Sequence, residues 1–205
     1  MKLSAACRLV LALSLSIALS DAATTSAQTK PSGRAVGPVI AKVRIDLFSD
    51  FQCPSCKGLA EGTLKRIKED YALKGKIRFV HHDFPLPQHQ YAKRAAILAS
   101  AADRLGKFDQ VSEVLFREQP SWSVNGQVDD VVDSVLTPDE RKKIREFAKD
   151  PSIAADIDKD VELGKRMGVT STPTMVITAN SKPNPVVGVV SYPVISRYLD
   201  SLLAQ

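Results

Sequence analysis

The 205-residue sequence has few aromatic residues and few cysteines. Phe, Trp and Tyr together make up 6% of the chain, and three cysteines are present. The composition is 44% hydrophobic and 25% charged, which excludes a disordered, a collagen-like or a multi-span membrane protein. A chain of this length buries enough surface to fold as one domain without a disulfide framework or a structural metal. We therefore expect an ordinary globular protein.

The charge of the chain is also unremarkable in its distribution. Lys and Arg number 28 against 23 Asp and Glu, which gives a net charge of +5. Both signs are scattered along the sequence, so that no basic stripe of the kind that binds nucleic acid is formed. We interpret the excess as a contribution to solubility and predict no nucleic-acid partner.

The N-terminus has the pattern of a secretory signal peptide. Lys2 and Arg8 precede an apolar run at 9–19, and small residues follow it. The apolar run is about half the roughly 20 residues that span a bilayer, so cleavage is favoured over a retained anchor. We predict a signal peptide over 1–22 and a periplasmic or otherwise extracytoplasmic location.

Two further consequences follow from this assignment. Cys7 is removed with the leader, which leaves two cysteines in the mature chain. Residues 23–37 are small, polar and without periodicity, which predicts a flexible linker. The folded part is then expected to begin near Pro38.

The remainder alternates between strand and helix patterns. The predicted order is strand, helix, strand, a long helical block, two strands and a final helix, at 39–48, 54–71, 76–84, 90–167, 174–178, 186–190 and around 195–202 respectively. Thr137 is expected to cap a helix within the block, because Pro138 and Glu140 follow it. This order predicts an α/β fold with helices inserted in its middle.

The motif Cys53-Pro54-Ser55-Cys56 lies where the first predicted strand meets the first predicted helix. Two residues between the cysteines let the sulfurs form a disulfide or separate as a dithiol with little backbone movement. Cys53 would lie at the helix N-terminus, where free N–H groups favour a thiolate, and Cys56 one turn further in. Cys53 is therefore predicted to be the nucleophile and Cys56 the resolving thiol.

The cysteines and histidines are open to other interpretations, each of which has an argument against it. A zinc site lacks a second cysteine pair, and His81 and His82 would point to opposite faces of a strand. A purely structural disulfide would close so short a loop that it would constrain the unfolded chain very little. His81, His82 and His89 have no catalytic partner signature beside them and are predicted to be surface or loop residues. No metal site is predicted.

Two motifs together resemble the DsbA-like branch of the thioredoxin superfamily. They are Phe48-Ser49-Asp50-Phe51-Gln52-Cys53-Pro54-Ser55-Cys56 and Gly168-Val169-Thr170-Ser171-Thr172-Pro173-Thr174, separated by about 120 residues. The resemblance implies a thioredoxin fold over 38–205 with an all-helical domain inserted at about 88–165. It also implies a cis peptide bond between Thr172 and Pro173, facing the dithiol, where a substrate segment would pair with the backbone.

The resemblance bears on three further residues. Family members carry an acidic residue under the active site that serves the buried cysteine, and Asp46 matches that position if Gln52 is counted as an insertion. A solvated strand end is the alternative for Asp46. Pro54 and Ser55 lie between the cysteines and would tune their reactivity; Ser55 replaces the His of the best-known DsbA, which predicts a milder oxidant.

The sequence thus predicts an exported thiol–disulfide oxidoreductase that introduces disulfides into cysteine-containing exported proteins. By resemblance, a quinone-linked membrane oxidase would reoxidise it, and no cofactor is expected. A disulfide reductase or isomerase is the alternative within the same class, since Thr before the proline also occurs in such family members. A non-catalytic peptide-binding or chaperone module is the alternative outside that class.

Overall fold

The computed structural model describes residues 33–205, which form a five-stranded sheet with helices on both faces. The strands are β1 (Ala35–Val36), β2 (Val43–Ser49), β3 (Arg78–Asp83), β4 (Thr174–Ala179) and β5 (Lys182–Val187). They lie in the order β1-β3-β2-β4-β5, and β2 and β3 are parallel while the other pairs are antiparallel. This is the thioredoxin fold that the family resemblance implied.

Helical structure follows β2 and fills the middle of the chain. The first helical stretch comprises α1 (Pro54–Leu59), a π-helical turn (Ala60–Leu64), α2 (Lys65–Ile67) and a second π-helical turn (Lys68–Ala72). The block between β3 and β4 contains α3 (Ala92–Asp103), α4 (Phe108–Arg117), α5 (Gln119–Asn125), α6 (Val128–Asp133), α7 (Pro138–Phe147) and α8 (Pro151–Arg166), and α9 (Tyr192–Leu203) follows β5. Thr137 caps α7 through the predicted box with Glu140.

The central strand β2 is buried on both faces because it separates two apolar layers. Ile45 and Leu47 pack against the first helical stretch and α9. Phe48 points the other way and packs with Phe84 and with α8 residues. The inserted helices have their own core, and that core also includes Cys53 and Cys56. The cysteines therefore lie where the thioredoxin layers meet the insertion.

The folded part begins earlier than the sequence indicated. Ala35 and Val36 pair with Val80 and Phe79 at the open edge of β3. Just before them, the Arg34 guanidinium contacts the carboxylates of Asp83 and Asp160. The prediction that the linker extends to residue 37 and that folded structure begins near Pro38 is therefore wrong. Residues 34–36 lack apolar periodicity, but pairing at the sheet edge and the ion pairs of Arg34 hold them in the fold.

Two predicted strand bounds also need correction. The strand at 39–48 begins only at Val43, since Val39 and Ile40 are exposed. The last strand is Lys182–Val187, not 186–190. Pro183 and Pro185 indicated a turn, but they lie in an edge strand, where a missing N–H is tolerated. The turn itself lies at Asn180 and Ser181, which both have positive φ, at 50° and 61°.

Within 33–205, no helix is both long and apolar enough to cross a bilayer. The predicted signal peptide over 1–22 and the first part of the predicted linker lie outside the described residues.

Candidate active site

Cys53 is the N-cap residue of α1, and its backbone remains extended before the helix begins. Pro54 occupies the first helical turn, where a missing N–H costs no hydrogen bond. Cys53 and Cys56 are both free thiols, 7% and 1% exposed, so Cys56 lies deeper. Pro54 and Ser55 are exposed between them. The sequence prediction of an outer and an inner cysteine agrees with this arrangement.

The surroundings of Cys53 favour its thiolate. The pKa of Cys53 is lowered from 9.0 to about 5, above all by a hydrogen bond from the Cys56 thiol. Burial opposes this shift, whereas the Thr172 side chain and the backbone N–H groups of Ser55 and Cys56 lower the pKa further. These N–H groups are free because they belong to the first turn of a helix. Cys53 is thus ionised at neutral pH.

Cys56 has the opposite character. Burial raises the pKa of its thiol strongly, and the hydrogen bond to Cys53 adds to that effect. The Asp50 backbone N–H lies 3.4 Å from the Cys56 sulfur and, with the Ser49 side chain, lowers the pKa in partial compensation. The pair therefore holds one thiolate and one thiol, and the thiol donates to the thiolate.

The segment before β4 faces the cysteines. The Thr172–Pro173 peptide bond is cis, and the Cys53 sulfur lies 3.3 Å from the Thr172 carbonyl oxygen. Pro173 is held in place because its carbonyl accepts from the Gly188 N–H at 2.8 Å. Within residues 33–205, Thr172 Oγ1 is the buried side-chain polar atom without a hydrogen-bond partner. That hydroxyl can donate once Cys53 carries a negative charge.

The inserted helices hold the turn that carries Cys53. Gln119 Nε2 donates to the carbonyl oxygens of Phe51 and Cys53, at 2.7 and 3.0 Å. The Gln52 side chain donates to the Ser123 carbonyl and accepts from a backbone N–H of the insertion. The insertion thus contributes directly to the position of the nucleophile.

Asp50 has a role in this turn that was not predicted from the sequence. Its side chain is buried, and its carboxylate accepts from the N–H groups of Gln52 and Leu86 and contacts His89. Asp side chains often accept a hydrogen bond from the backbone N–H two residues ahead and so stabilise a turn. The position of Asp50, three residues before Cys53, could therefore have indicated this role.

Asp46 does not lie beside the dithiol. It shares the face of β2 with Phe48 rather than with Ser49, which contacts Cys56. Its carboxylate is bound by Arg44 at 2.6 Å and by His82 at 2.8 Å. Asp46 is also buried, so it is neither the expected acid under the active site nor a solvated strand end.

The assignment of the histidines to the surface is wrong for two of the three. His81 and His82 are buried on opposite faces of β3, and each contacts a carboxylate. The partners of His82, Asp46 and Asp160, are distant in the sequence, whereas Asp83, the partner of His81, lies two residues along the same strand and on the same face. His89 lies in the loop after β3 and is half-buried. Within 33–205, no group of three or more His, Cys, Asp or Glu is arranged to hold a metal.

Comparison with known proteins places this geometry in a family. A family model described as Thioredoxin matches residues 29–184. The disulfide bond formation protein D of Bacillus subtilis is 27% identical over 153 residues, which cover 68% of this chain and 67% of that protein.

Two solved structures share the fold. Oxidised BdbD from Bacillus subtilis is 24% identical with a TM-score of 0.67, covering 84% of this chain and 93% of its own. Wolbachia pipientis alpha-DsbA1 is 19% identical with a TM-score of 0.68, covering 83% and 90%. The chain therefore belongs to the thioredoxin family, and its fold is similar to that of DsbA-like proteins.

Proposed function

We propose that this protein is an exported oxidant that introduces disulfides into cysteine-containing exported proteins. The observation that carries the proposal is the low pKa of Cys53, about 5, at the start of α1. A thiolate that is stabilised in the reduced protein makes the Cys53–Cys56 disulfide less stable and favours its transfer to another protein. Export through a signal peptide over 1–22 is part of the proposal.

In the first step, a substrate thiolate attacks the Cys53 sulfur of the oxidised protein. A bond forms between the two sulfurs, the Cys53–Cys56 bond breaks, and its electron pair passes to Cys56, which then takes up a proton. Cys53 is proposed as the point of attack because it is the less buried sulfur of the pair.

In the second step, another substrate thiolate attacks the substrate sulfur of this mixed disulfide. Cys53 leaves as a thiolate, which its surroundings favour at neutral pH. The substrate has then lost two electrons and the protein has gained them. A quinone-linked membrane oxidase, proposed from the family resemblance, would accept these electrons and restore the disulfide.

Thr172 and Pro173 are proposed to bind the substrate chain. The Thr172 carbonyl lies 3.3 Å from the Cys53 sulfur, so a peptide joined to that sulfur must pass beside Thr172. An extended peptide can pair its backbone with a main-chain segment of this kind. Pro54 and Ser55 are proposed to tune Cys53, since the Ser55 N–H is one of the groups that lower its pKa.

The enzymatic proposal is tested with a reduced, unfolded protein such as ribonuclease. We expect the oxidised protein to form disulfides in it stoichiometrically, and Cys53→Ser to abolish this reaction. Full activity of Cys53→Ser would overturn the proposed role of the pair. Absence of any exchange in the wild type would instead favour a non-catalytic peptide-binding module.

The direction of electron flow is tested by the reduction potential in glutathione buffers. A strong oxidant of this fold has a potential of about −120 mV, and thioredoxin has one of about −270 mV. A value nearer to the first would support the oxidant role. A value at the thioredoxin end would favour the reductase alternative. Export is tested separately by the N-terminal sequence of the mature protein, which we expect to lack residues 1–22.

A further inference from the structure

The side chain of Asp50 is a buried carboxylate held from three directions. Its Oδ1 accepts from the Gln52 N–H at 2.7 Å. Its Oδ2 accepts from the Leu86 N–H at 2.8 Å and lies 2.7 Å from His89 Nδ1. A carboxylate with no exposed surface is expensive to bury unless it is fully hydrogen-bonded. These contacts therefore fix the orientation of Asp50 between the cysteine turn and the loop after β3.

The backbone of the same residue faces the inner cysteine. The Asp50 N–H points at the Cys56 sulfur across 3.4 Å, in a site where Cys56 is 1% exposed and belongs to an apolar cluster. Water does not reach that sulfur to stabilise a charge. A negative charge must nevertheless develop there when the disulfide opens, because the electron pair of the S–S bond passes to Cys56.

We propose that Asp50 and His89 are positioning residues that direct the Asp50 N–H at the charge developing on Cys56 during exchange. This inference rests on the proposed function. Donors that are already oriented towards a developing charge lower the barrier without reorganisation during the reaction. His89 acts only through the Asp50 carboxylate, since its Nδ1 contacts Oδ2.

A positioning role for the Asp50 N–H has kinetic consequences that a purely structural role would not have. Cys56 is neutral in the disulfide, and it is neutral again in the reduced protein because burial raises the pKa of its thiol. The charge on its sulfur is therefore transient. Loss of the oriented N–H should slow exchange in both directions and leave the reduction potential unchanged. It should also leave the titration of Cys53 unchanged, because the Asp50 N–H is not among the groups that lower the pKa of Cys53.

The test compares His89→Leu with His89→Asn in the full-length mature protein. Leucine removes the donor to Asp50 Oδ2, whereas the amide nitrogen of asparagine can take the place of Nδ1. The oxidised proteins are reduced with dithiothreitol, quenched with acid at set times and analysed by thiol alkylation. We expect His89→Leu to react on the order of 10-fold more slowly, His89→Asn to recover most of the rate, and both to keep the wild-type potential.

Three outcomes would overturn the proposal: an unchanged rate in His89→Leu, a rate in His89→Asn as low as in His89→Leu, or a loss of rate accompanied by an equal change in potential. If His89→Leu fails to fold, Asp50→Asn serves in its place. Asparagine keeps an oxygen for the Gln52 N–H but puts a donor opposite the Leu86 N–H, so the same slowing at constant potential is expected. Failure of the wild type to exchange thiols at all would instead refute the proposed function.

Discussion

The Cys53 sulfur lies 3.3 Å from the carbonyl oxygen of Thr172, although 119 positions separate the two residues. The sheet accounts for this proximity. β2 and β4 are antiparallel, and Phe48 is paired with Thr174. The end of β2, which leads to Cys53, therefore lies beside the beginning of β4, which follows Thr172 and Pro173. The central strand pair thus places the nucleophile against the segment proposed to bind substrate.

The first prediction concerns the ionisation of Cys53. We expect the thiolate absorbance of the reduced protein to titrate with a midpoint near pH 5. Alkylation of Cys53 should consequently be nearly independent of pH from 6 to 8, whereas a free thiol with a pKa of about 8.5 would react faster as pH rises. Cys56→Ala should raise the midpoint, because the Cys56 thiol makes the largest contribution to lowering the pKa. A wild-type midpoint near 8.5 would refute the geometry given for Cys53.

A second prediction concerns the hydroxyl of Thr172. This hydroxyl is buried and has no hydrogen-bond partner in the structure, in which both cysteines are free thiols. The Thr172 side chain also lowers the pKa of Cys53. Thr172→Val has nearly the same shape but cannot donate. A hydrogen bond to a charged group contributes roughly 1.5–3 kcal/mol, so we expect the pKa of Cys53 to rise by about one to two units.

The reduction potential should respond to the same change. Each unit of pKa corresponds to about 1.4 kcal/mol, or about 30 mV for a two-electron couple. Thr172→Val should therefore be less oxidising by some tens of millivolts when measured against glutathione. An unchanged pKa and potential would mean that the hydroxyl does not reach the thiolate.

A third prediction concerns the packing of α8 against the sheet. A Cβ at Gly164 would lie 2.6 Å from Phe84 Cε2 and 3.0 Å from Phe48 Cδ1. Neither ring can move freely in the core, so Gly164→Ala should destabilise the protein by about 1–3 kcal/mol in urea unfolding. Gly62→Ala is the matched control, because nothing lies within 4 Å of its Cβ, and it should be neutral or stabilising by up to about 1 kcal/mol. Equal effects of the two substitutions would contradict this packing.

A fourth prediction concerns His82, which joins β3 to α8. Its ring contacts Asp160 at 2.6 Å and Asp46 at 2.8 Å. Burial by itself would lower the pKa of His82, but the hydrogen bonds to the two carboxylates raise it above 6.5. A raised pKa in the folded state gives stability that is fully present below pH 6.5 and is lost as pH rises through the folded value.

We therefore expect the free energy of unfolding of the oxidised protein to decrease as pH rises above about 6.5, and to decrease less in His82→Gln. The oxidised form is used because, in the reduced protein, the difference between the low pKa of Cys53 and the free thiol value of about 8.5 would also change stability over this pH range. His81 affects stability only at lower pH, since burial lowers its pKa and the unfolded chain alone binds its proton below 6.5. Parallel pH profiles for wild type and His82→Gln would exclude this role of His82.

Local sequence was sufficient to predict the elements that carry the cysteines. The position of Cys53 and Cys56 at the start of a helix could be predicted because the helix start depends on local signals, here Pro54 directly after the first cysteine. The helical block was predicted from its periodicity, and the Thr137 cap from the three residues that follow it. Such features depend on neighbours within one or two turns, which a single sequence displays.

The features that sequence reasoning missed depend on distant contacts. Arg34 is held by Asp83 and Asp160, and His82 is held by Asp46 and Asp160. These charged residues can be partly or fully buried because they neutralise one another, and nothing in their immediate sequence shows that partners up to 126 positions away will meet them. Asp46 was misassigned for a related reason, since its face on β2 is set by the register of the sheet.

The most direct test of the account identifies the sulfur that carries the substrate. In the full-length mature Cys56→Ser variant, Cys53 would first be oxidised to a mixed disulfide with a small thiol. This protein would then be treated with a reduced unfolded protein, whose thiol can displace the small thiol. The covalent complex would be digested without reduction and analysed by mass spectrometry. We predict a substrate cysteine joined to Cys53, and no complex with Cys53→Ser treated in the same way. A complex that forms in Cys53→Ser through Cys56, or none in Cys56→Ser, would contradict the claim that Cys53 is the point of exchange.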